Sequence, residues 1–358
     1  MVYQVPAPLV GGFLLSFATS KLLFDQGRIL GCSGIAHSTL SHLSTTLTNP
    51  PSKKEKENGD EGQEWKVSAA LGLVVGGLVI GQLRPSLELV VGQPLLDSVA
   101  SAGIVRPLLA GFAVGVGTKL ARGCTSGHML IGMARFSKRS IFATLTFFTT
   151  AFFTSRLFSY PLPSSTTSSI ALLNLSHLTP SIISLFLIPI TSSLLIHRIL
   201  PSPSSHRLSN LVQSFSLSFV FSLGLALTGM LRPSKVLSFF YVPIPSIPSP
   251  SSKIELPPWD PSLALVALGG LLPNIVAWYT LMKGRNSPRR RDEWDVPKGG
   301  KVDSKLLLGS ALFGIGWGLM GICPGPMMTV LGSGTGGISV SLFAGAFALG
   351  GFVVNLLS

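Results

Sequence analysis

Largely apolar runs close to the length of a membrane-crossing helix, about 20 residues, recur along the chain with polar segments between them. They cover Pro8–Phe24, Val67–Leu83, Ile104–Leu120, Ser140–Tyr160, Ser181–Ile196, Leu208–Leu231 and Leu263–Met282. From Leu306 to Ser358 no charged residue occurs. As helix, that stretch would run about 80 Å at ~1.5 Å per residue, more than two crossings of a roughly 30 Å core. Two spans and a short re-entrant piece account for it, with the break at Cys323-Pro324-Gly325-Pro326. The pattern therefore predicts an all-α polytopic membrane protein of about nine spans. The intervening segments read as a solvated, flexible loop at 44–64, a Ser/Thr-rich turn at 164–169 and an extended Pro/Ser linker at 243–258.

Composition agrees. Only 11% of the 358 residues are charged and 39 are glycine, a content that suits closely packed membrane helices. The net charge of +13 invites a nucleic-acid reading, but its location argues against one. The basic segments Arg135–Arg139, His197–Arg207 and Lys283–Lys305 all flank spans, which is the positive-inside signal. With nine alternating spans they share one side, placing the N-terminus outside and the C-terminus in the cytoplasm, at the plasma membrane. Met1–Ser20 is uncharged and so lacks the basic start of a cleavable signal. The first span is expected to act as its own insertion signal.

One sequence pattern occurs twice. Gly115, Gly117, Gly123, Cys124 and Met129 match Gly314, Gly316, Gly321, Cys323 and Met328 in order and near-equal spacing. Five spans separate the copies, and an odd number turns one over relative to the other, as inverted repeats require. A third cysteine, Cys32, sits in the Gly-punctuated turn Gly31-Cys32-Ser33-Gly34. Three cysteines form no disulfide framework and no zinc spacing. The Gly-x-Gly pairs are not phosphate loops, since no Gly-Lys-Ser/Thr follows them, and no cofactor motif is present.

Helices broken at membrane depth survive only where protein or a water-filled path surrounds them. A half-helix starting after such a break directs its free N–H groups and positive dipole end at that path. Pro324 suits the first position of one half-helix, and Thr125 and Ser126 could cap the other. Two such ends describe an anion site, with Arg28, Lys119, Arg122 and Arg135 nearby in sequence adding attraction. A neutral thiol is a weak, polarizable donor suited to a soft acceptor such as sulfur. A run of weak thiol contacts also lets an ion leave again. Taken singly, each cysteine could be an inert small hydrophobe. His128 with Met129, or Met327 and Met328 with Cys323, could ligate a soft metal, but capping or packing is the preferred reading and no metal is assigned.

The turns GRILGCSGI, GCTSGHMLIGMARFSKRS and GICPGPM, with Phe221–Phe240 and Pro257–Gly270, resemble the YeeE/YedE sulfur-transport family. The resemblance implies a fused form of two halves, 1–160 and 161–358, in an hourglass with inward short helices. It also implies uptake of thiosulfate or a similar small sulfur anion, passed along the thiols of Cys32, Cys124 and Cys323. The substrate-binding set expected on these grounds also includes Gly31, Gly34, Gly123, Thr125, Ser126, Gly127, His128, Pro324, Gly325, Arg28 and Arg122. A cytosolic sulfur-handling enzyme is the expected recipient, and no nucleic acid is involved. The competing readings are a membrane sulfurtransferase holding a cysteine persulfide, which needs an activating base, and a soft-metal permease.

Overall fold

The computed structural model describes residues 5–48, 61–97, 103–158, 170–199, 206–242, 259–297 and 300–357. The expected 164–169 turn and 243–258 linker lie outside them, as does 49–60 of the expected 44–64 loop. Among the described residues there is helix and no strand, only the isolated bridges Pro6–Leu172 and Arg28–Asp295. The protein is an all-α polytopic membrane protein.

Each of the nine apolar runs holds a helix. These are α1 (Ala7–Gln26), α3 (Glu61–Gln82), α5 (Val105–Ala121), α7 (Lys138–Leu157), α8 (Pro180–Ile199), α9 (His206–Thr228), α11 (Ser262–Ala277), α12 (Ser304–Met320) and α14 (Gly337–Leu357). α11 continues as a π-turn over Trp278–Met282. By length and apolarity, five of the described helices qualify as membrane spans: α1, α3, α9, α11 with its π-turn, and α14. The bent pair α12 and α13 (Pro324–Ser333), angled by 40°, would make a sixth.

The remaining elements are short or polar. They are α2 (Cys32–Thr48), α4 (Arg84–Val91), the π-helix α6 (Ser126–Met133) and α10 (Pro233–Phe240). α2 extends helix to Thr48, into the stretch expected to be loop. Its Ser, Thr and His residues lower its hydropathy without preventing a helix whose first turns are buried.

α9 is the central column: 83% of its apolar window is buried, against 28% for α11 and 33% for α14 on the periphery. α1 and α3 pack on α9, and α5 packs on α12 and α14. Where α5 crosses α12, Gly117 faces Gly309 and Phe313 backbone to backbone, with no room for a side chain. An aromatic cluster of Phe147, Phe240, Phe313 and Trp317 fills the space between α7, α10 and α12.

The polar segments sort onto two ends. At one end the 283–297 segment laces under α1: the N–H groups of Arg289, Arg290 and Asp295 donate to the carbonyls of Phe24, Asp25 and Gly27 at 3.0, 2.9 and 2.9 Å. These bonds occupy the carbonyls that a helix end leaves open. Arg135 reaches Pro297 O at the same end, and Arg207 pairs with Glu64. At the other end, Arg106 Nε donates to Leu319 O at 2.6 Å and Trp259 Nε1 to Phe239 O at 3.0 Å.

Candidate functional site

Four helices begin inside the bundle, and each follows a tight turn. The first i→i+4 bond is accepted by the carbonyl of Gly31 for α2, Cys124 for α6, Arg232 for α10 and Cys323 for α13. Sequence reading found the turns at Cys124 and Cys323 as copies; the α9–α10 turn is a counterpart to the one between α1 and α2. Gly27 (φ 67°) ends α1 and Gly229 (φ 73°) follows α9, both in the left-handed region that a helix stop favours. In the cysteine turns the equivalent stop is Gly321 (φ 69°) in one copy and Arg122 (φ 56°) in the other. The structural match to Gly321 is thus Arg122, not Gly123. A left-handed residue other than glycine costs roughly 1 kcal/mol.

These turns bring the three cysteines to one cavity. Cys32, Cys124 and Cys323 are 1%, 1% and 4% exposed, and no disulfide joins them. The N–H of Ser33, in the first turn of α2, points at Cys124 Sγ (3.4 Å), and Cys32 N donates to Ser126 Oγ at 3.0 Å. Ser126 Oγ lies 3.3 Å from Cys124 Sγ, and Thr125 Oγ1 is 3.9 Å from Cys323 Sγ. Thr125 and Ser126 therefore do not cap their own helix. Their hydroxyls reach across to the neighbouring turns and hold the three together.

The cavity has a volume of about 20 Å³, enough for one water molecule. Leu15, Met129, Leu130, Phe221, Leu225, Met230, Val266, Gly325 and Pro326 complete its wall, together with Thr125, Ser126 and the cysteines. Among the described residues no charged or imidazole side chain lines it. Gly325 is held small by its neighbour, since a Cβ there would stand 3.1 Å from Cys32 Sγ. The apolar lining residues escaped the sequence reading because nothing but position distinguishes them from ordinary core. Met129 and Met328, equivalent in the sequence pattern, part company here: Met129 lines the cavity and Met328 does not.

The other expected site residues fall around this centre. Gly31 starts α2, and Pro324 is the buried first residue of α13. Gly34 is exposed on α2, with nothing within 4 Å of the place a Cβ would take, and Gly127 likewise has open space. His128 turns away from the cavity: its Nδ1 is 3.2 Å from Ser140 Oγ and its Nε2 3.2 Å from Ala121 O, with its ring against Gly123. Arg28 bonds Gln26 at 3.1 Å and lies over the Trp65 ring, and Arg122 is exposed. Among the described residues no group of three His, Cys, Asp or Glu side chains is placed to hold a metal ion.

α6 is fixed in place by Asn274, which sequence reading did not single out. Its Nδ2 donates to Leu130 O at 3.1 Å and its Oδ1 accepts from Ser16 Oγ at 2.9 Å, all in a buried setting. A π-helix carries an extra residue per turn and leaves carbonyls that need outside donors. Asn274→Leu strands both partners and is expected to cost about 1–3 kcal/mol. Thermal unfolding of the detergent-purified variant should show a lowered Tm, and an unchanged Tm would remove Asn274 from this role.

Comparison with known proteins places this polytopic helical bundle among membrane transporters. Residues 8–153 match the sulphur-transport family, and residues 209–358 match a family of unknown function. A probable transporter of Xylella fastidiosa (strain Temecula1 / ATCC 700964) is 36% identical over 131 residues, covering 37% of this chain and 78% of that protein. A probable transporter of strain 9a5c is 35% identical over 131 residues, 37% of this chain and 80% of its own length. Another from Temecula1 is 35% identical over 143 residues, 39% of this chain and 84% of its own. The chain belongs to the YeeE/YedE-like sulfur-transport family.

Proposed function

We propose that this chain takes up thiosulfate, or a closely related small anion with a terminal sulfur, and passes it through the bundle along Cys32, Cys124 and Cys323. The observation that carries this reading is the convergence of three buried cysteines, from turns far apart in sequence, on one cavity ringed by helix starts. The N–H groups of Cys32 and Ser33 and the positive end of α2 favour a negative guest. The thiols offer its sulfur weak donors of matching softness. At about 20 Å³ the cavity holds no such ion at rest, so the conformation is closed and passage requires the lining side chains to part. A covalent persulfide route lacks support, because no base lines the cavity.

The halves 1–160 and 161–358 are read as inverted repeats. α1–α2–α3–α5–α6–α7 corresponds to α9–α10–α11–α12–α13–α14, with α8 joining them. The two family matches begin and end in corresponding helices, and the short α2, α6, α10 and α13 act as inward half-helices. The basic segments gather at one end of the bundle, which is read as cytoplasmic by the positive-inside rule, in the plasma membrane. A cytosolic sulfur-handling enzyme would then receive the ion.

Cells lacking their own thiosulfate and sulfate uptake provide the test. Expressing this chain should restore growth with thiosulfate as sole sulfur source. No growth with the protein present in the membrane would overturn the reading.

A further inference from the structure

The three cysteines leave unexplained a buried charged cluster at the end of the bundle opposite the basic segments. Arg232 and Lys235 are 5% and 3% exposed, and Asp260 is 3% exposed. Arg232 and Lys235 belong to the turn and first helical turn of α10, beside which the Asp97 carboxylate sits. Asp97 Oδ2 accepts from Ser234 N at 3.2 Å and from the Ser234 hydroxyl, and it lies 4.0 Å from Arg232 Nε. Lys235 Nζ is 3.5 Å from Asp260 Oδ2 and 3.1 Å from Gln93 Oε1. Asp260 is committed elsewhere as well, since its Oδ1 accepts from Ser262 N at 2.8 Å. Asp97 is not: its Oδ1 and Arg232 Nε are both buried without a hydrogen-bond partner.

We propose that the N-terminus of α10 is a docking site for a small oxyanion, occupied in this closed conformation by the Asp97 carboxylate, which the arriving anion displaces. This rests on the transport reading and assigns the ion's entry step. A helix start, a hydroxyl and a buried guanidinium facing one point make an anion site. A planar two-oxygen carboxylate on a tether leaves part of that site unmet. A tetrahedral dianion has oxygens enough for Ser234 N, the Ser234 hydroxyl and Arg232 Nε together. Burial pushes the Asp97 carboxyl above its ordinary range, against the opposing pull of Ser234 and Arg232. Its hold as an anion is correspondingly weakened.

The site adjoins the turns that carry the cysteine cavity. The methylenes of Lys235 lie over Gly229, where a Cβ would stand 2.7 Å from Cδ, and the next residue, Met230, lines the cavity. The carbonyl of Pro233 abuts Gly321, two residues before Cys323. Selection then occurs in two places. The α10 site reads charge and oxygens, and the cavity beyond reads the terminal sulfur. Sulfate, which has the charge and the oxygens but no soft sulfur, should dock without being passed on.

The test is equilibrium binding of labelled sulfate to the purified full-length protein, alongside sulfate inhibition of thiosulfate uptake into proteoliposomes. Asp97→Asn keeps an acceptor for Ser234 but removes the competing charge, so sulfate should bind about tenfold tighter. Arg232→Gln should weaken sulfate binding about tenfold and raise the thiosulfate KM. Unchanged or weaker sulfate binding by monodisperse Asp97→Asn would overturn the docking site. If that variant does not fold, unchanged sulfate binding by Arg232→Gln does the same. Sulfate binding with both shifts, but without thiosulfate uptake by the wild-type protein, would sink the transport reading and leave the site standing. Uptake that neither variant nor sulfate affects would do the reverse.

Discussion

Cys124→Ala and Cys323→Ala should each abolish thiosulfate uptake, by at least about 100-fold, or roughly 2.7 kcal/mol on the barrier, while the protein still reaches the membrane in normal amount. The cysteines differ in what they hold. Cys124 Sγ accepts from the first turn of α2 and touches Ser126, whereas Cys323 Sγ meets the Thr125 hydroxyl at 3.9 Å. Replacing either with alanine removes one sulfur from the wall of a cavity of about 20 Å³. The folding cost is near that of one hydrogen bond, about 1 kcal/mol, which a packed bundle absorbs. What is lost is a soft donor on the path. Serine at either position restores a donor but a hard one, so it should rescue folding and not uptake. Expression measured beside uptake separates the two effects, and normal uptake by both alanine variants would contradict the relay.

Gly77→Leu should leave little or no folded protein. α3 presents Gly77 to the Thr329 backbone of α13, and even a single Cβ there would overlap the Thr329 carbonyl. Its neighbour Gly76 faces Ser222 of α9, so α3 is wedged between two helices and cannot back away. Overpacking a fixed contact costs about 1–3 kcal/mol, occasionally more, and a full leucine is well beyond one methyl. α13 is the helix that Cys323 begins, so any survivor should also have a misplaced cavity. Gly345→Leu, on the outer side of α14 with nothing within 4 Å of its Cβ position, should behave as wild type. Size-exclusion profiles of the two detergent extracts decide the matter. A monodisperse Gly77→Leu peak of normal height would show that the α3–α13 contact yields more easily than its geometry implies.

The long helices were legible because each is written as a run of apolar residues near membrane length. The helix α2 was not, since Ser38, Thr39, Ser41 and Ser44–Thr46 give it the hydropathy of a loop. α10 was hidden for another reason. Its eight residues, beginning with the proline of Gly-Met-Leu-Arg-Pro, carry no periodic signal of their own, and only their burial, with Phe240 packed on Trp317, shows that they belong to the core. Within the site, the cysteines announced themselves by chemistry and by the repeated spacing. Met230, Leu15 and Val266 did not, because an apolar residue facing a cavity reads the same as one facing a neighbour. The cations of the turns gave too little: Arg28 and Arg122 lie near the cysteines in sequence, yet a helix end can project its side chain away from the axis as easily as toward it. Arg232 and Lys235, buried at the start of α10, follow the turn that has no cysteine.

This chain alone is expected to carry a sulfur anion across a bilayer. Purified protein in sealed proteoliposomes, given labelled thiosulfate outside, measures it most directly. Label should accumulate above protein-free vesicles, with accumulation blocked by excess unlabelled thiosulfate and absent with Cys124→Ala. Label entering no faster than into protein-free vesicles, with the wild-type protein correctly folded and inserted, would contradict it.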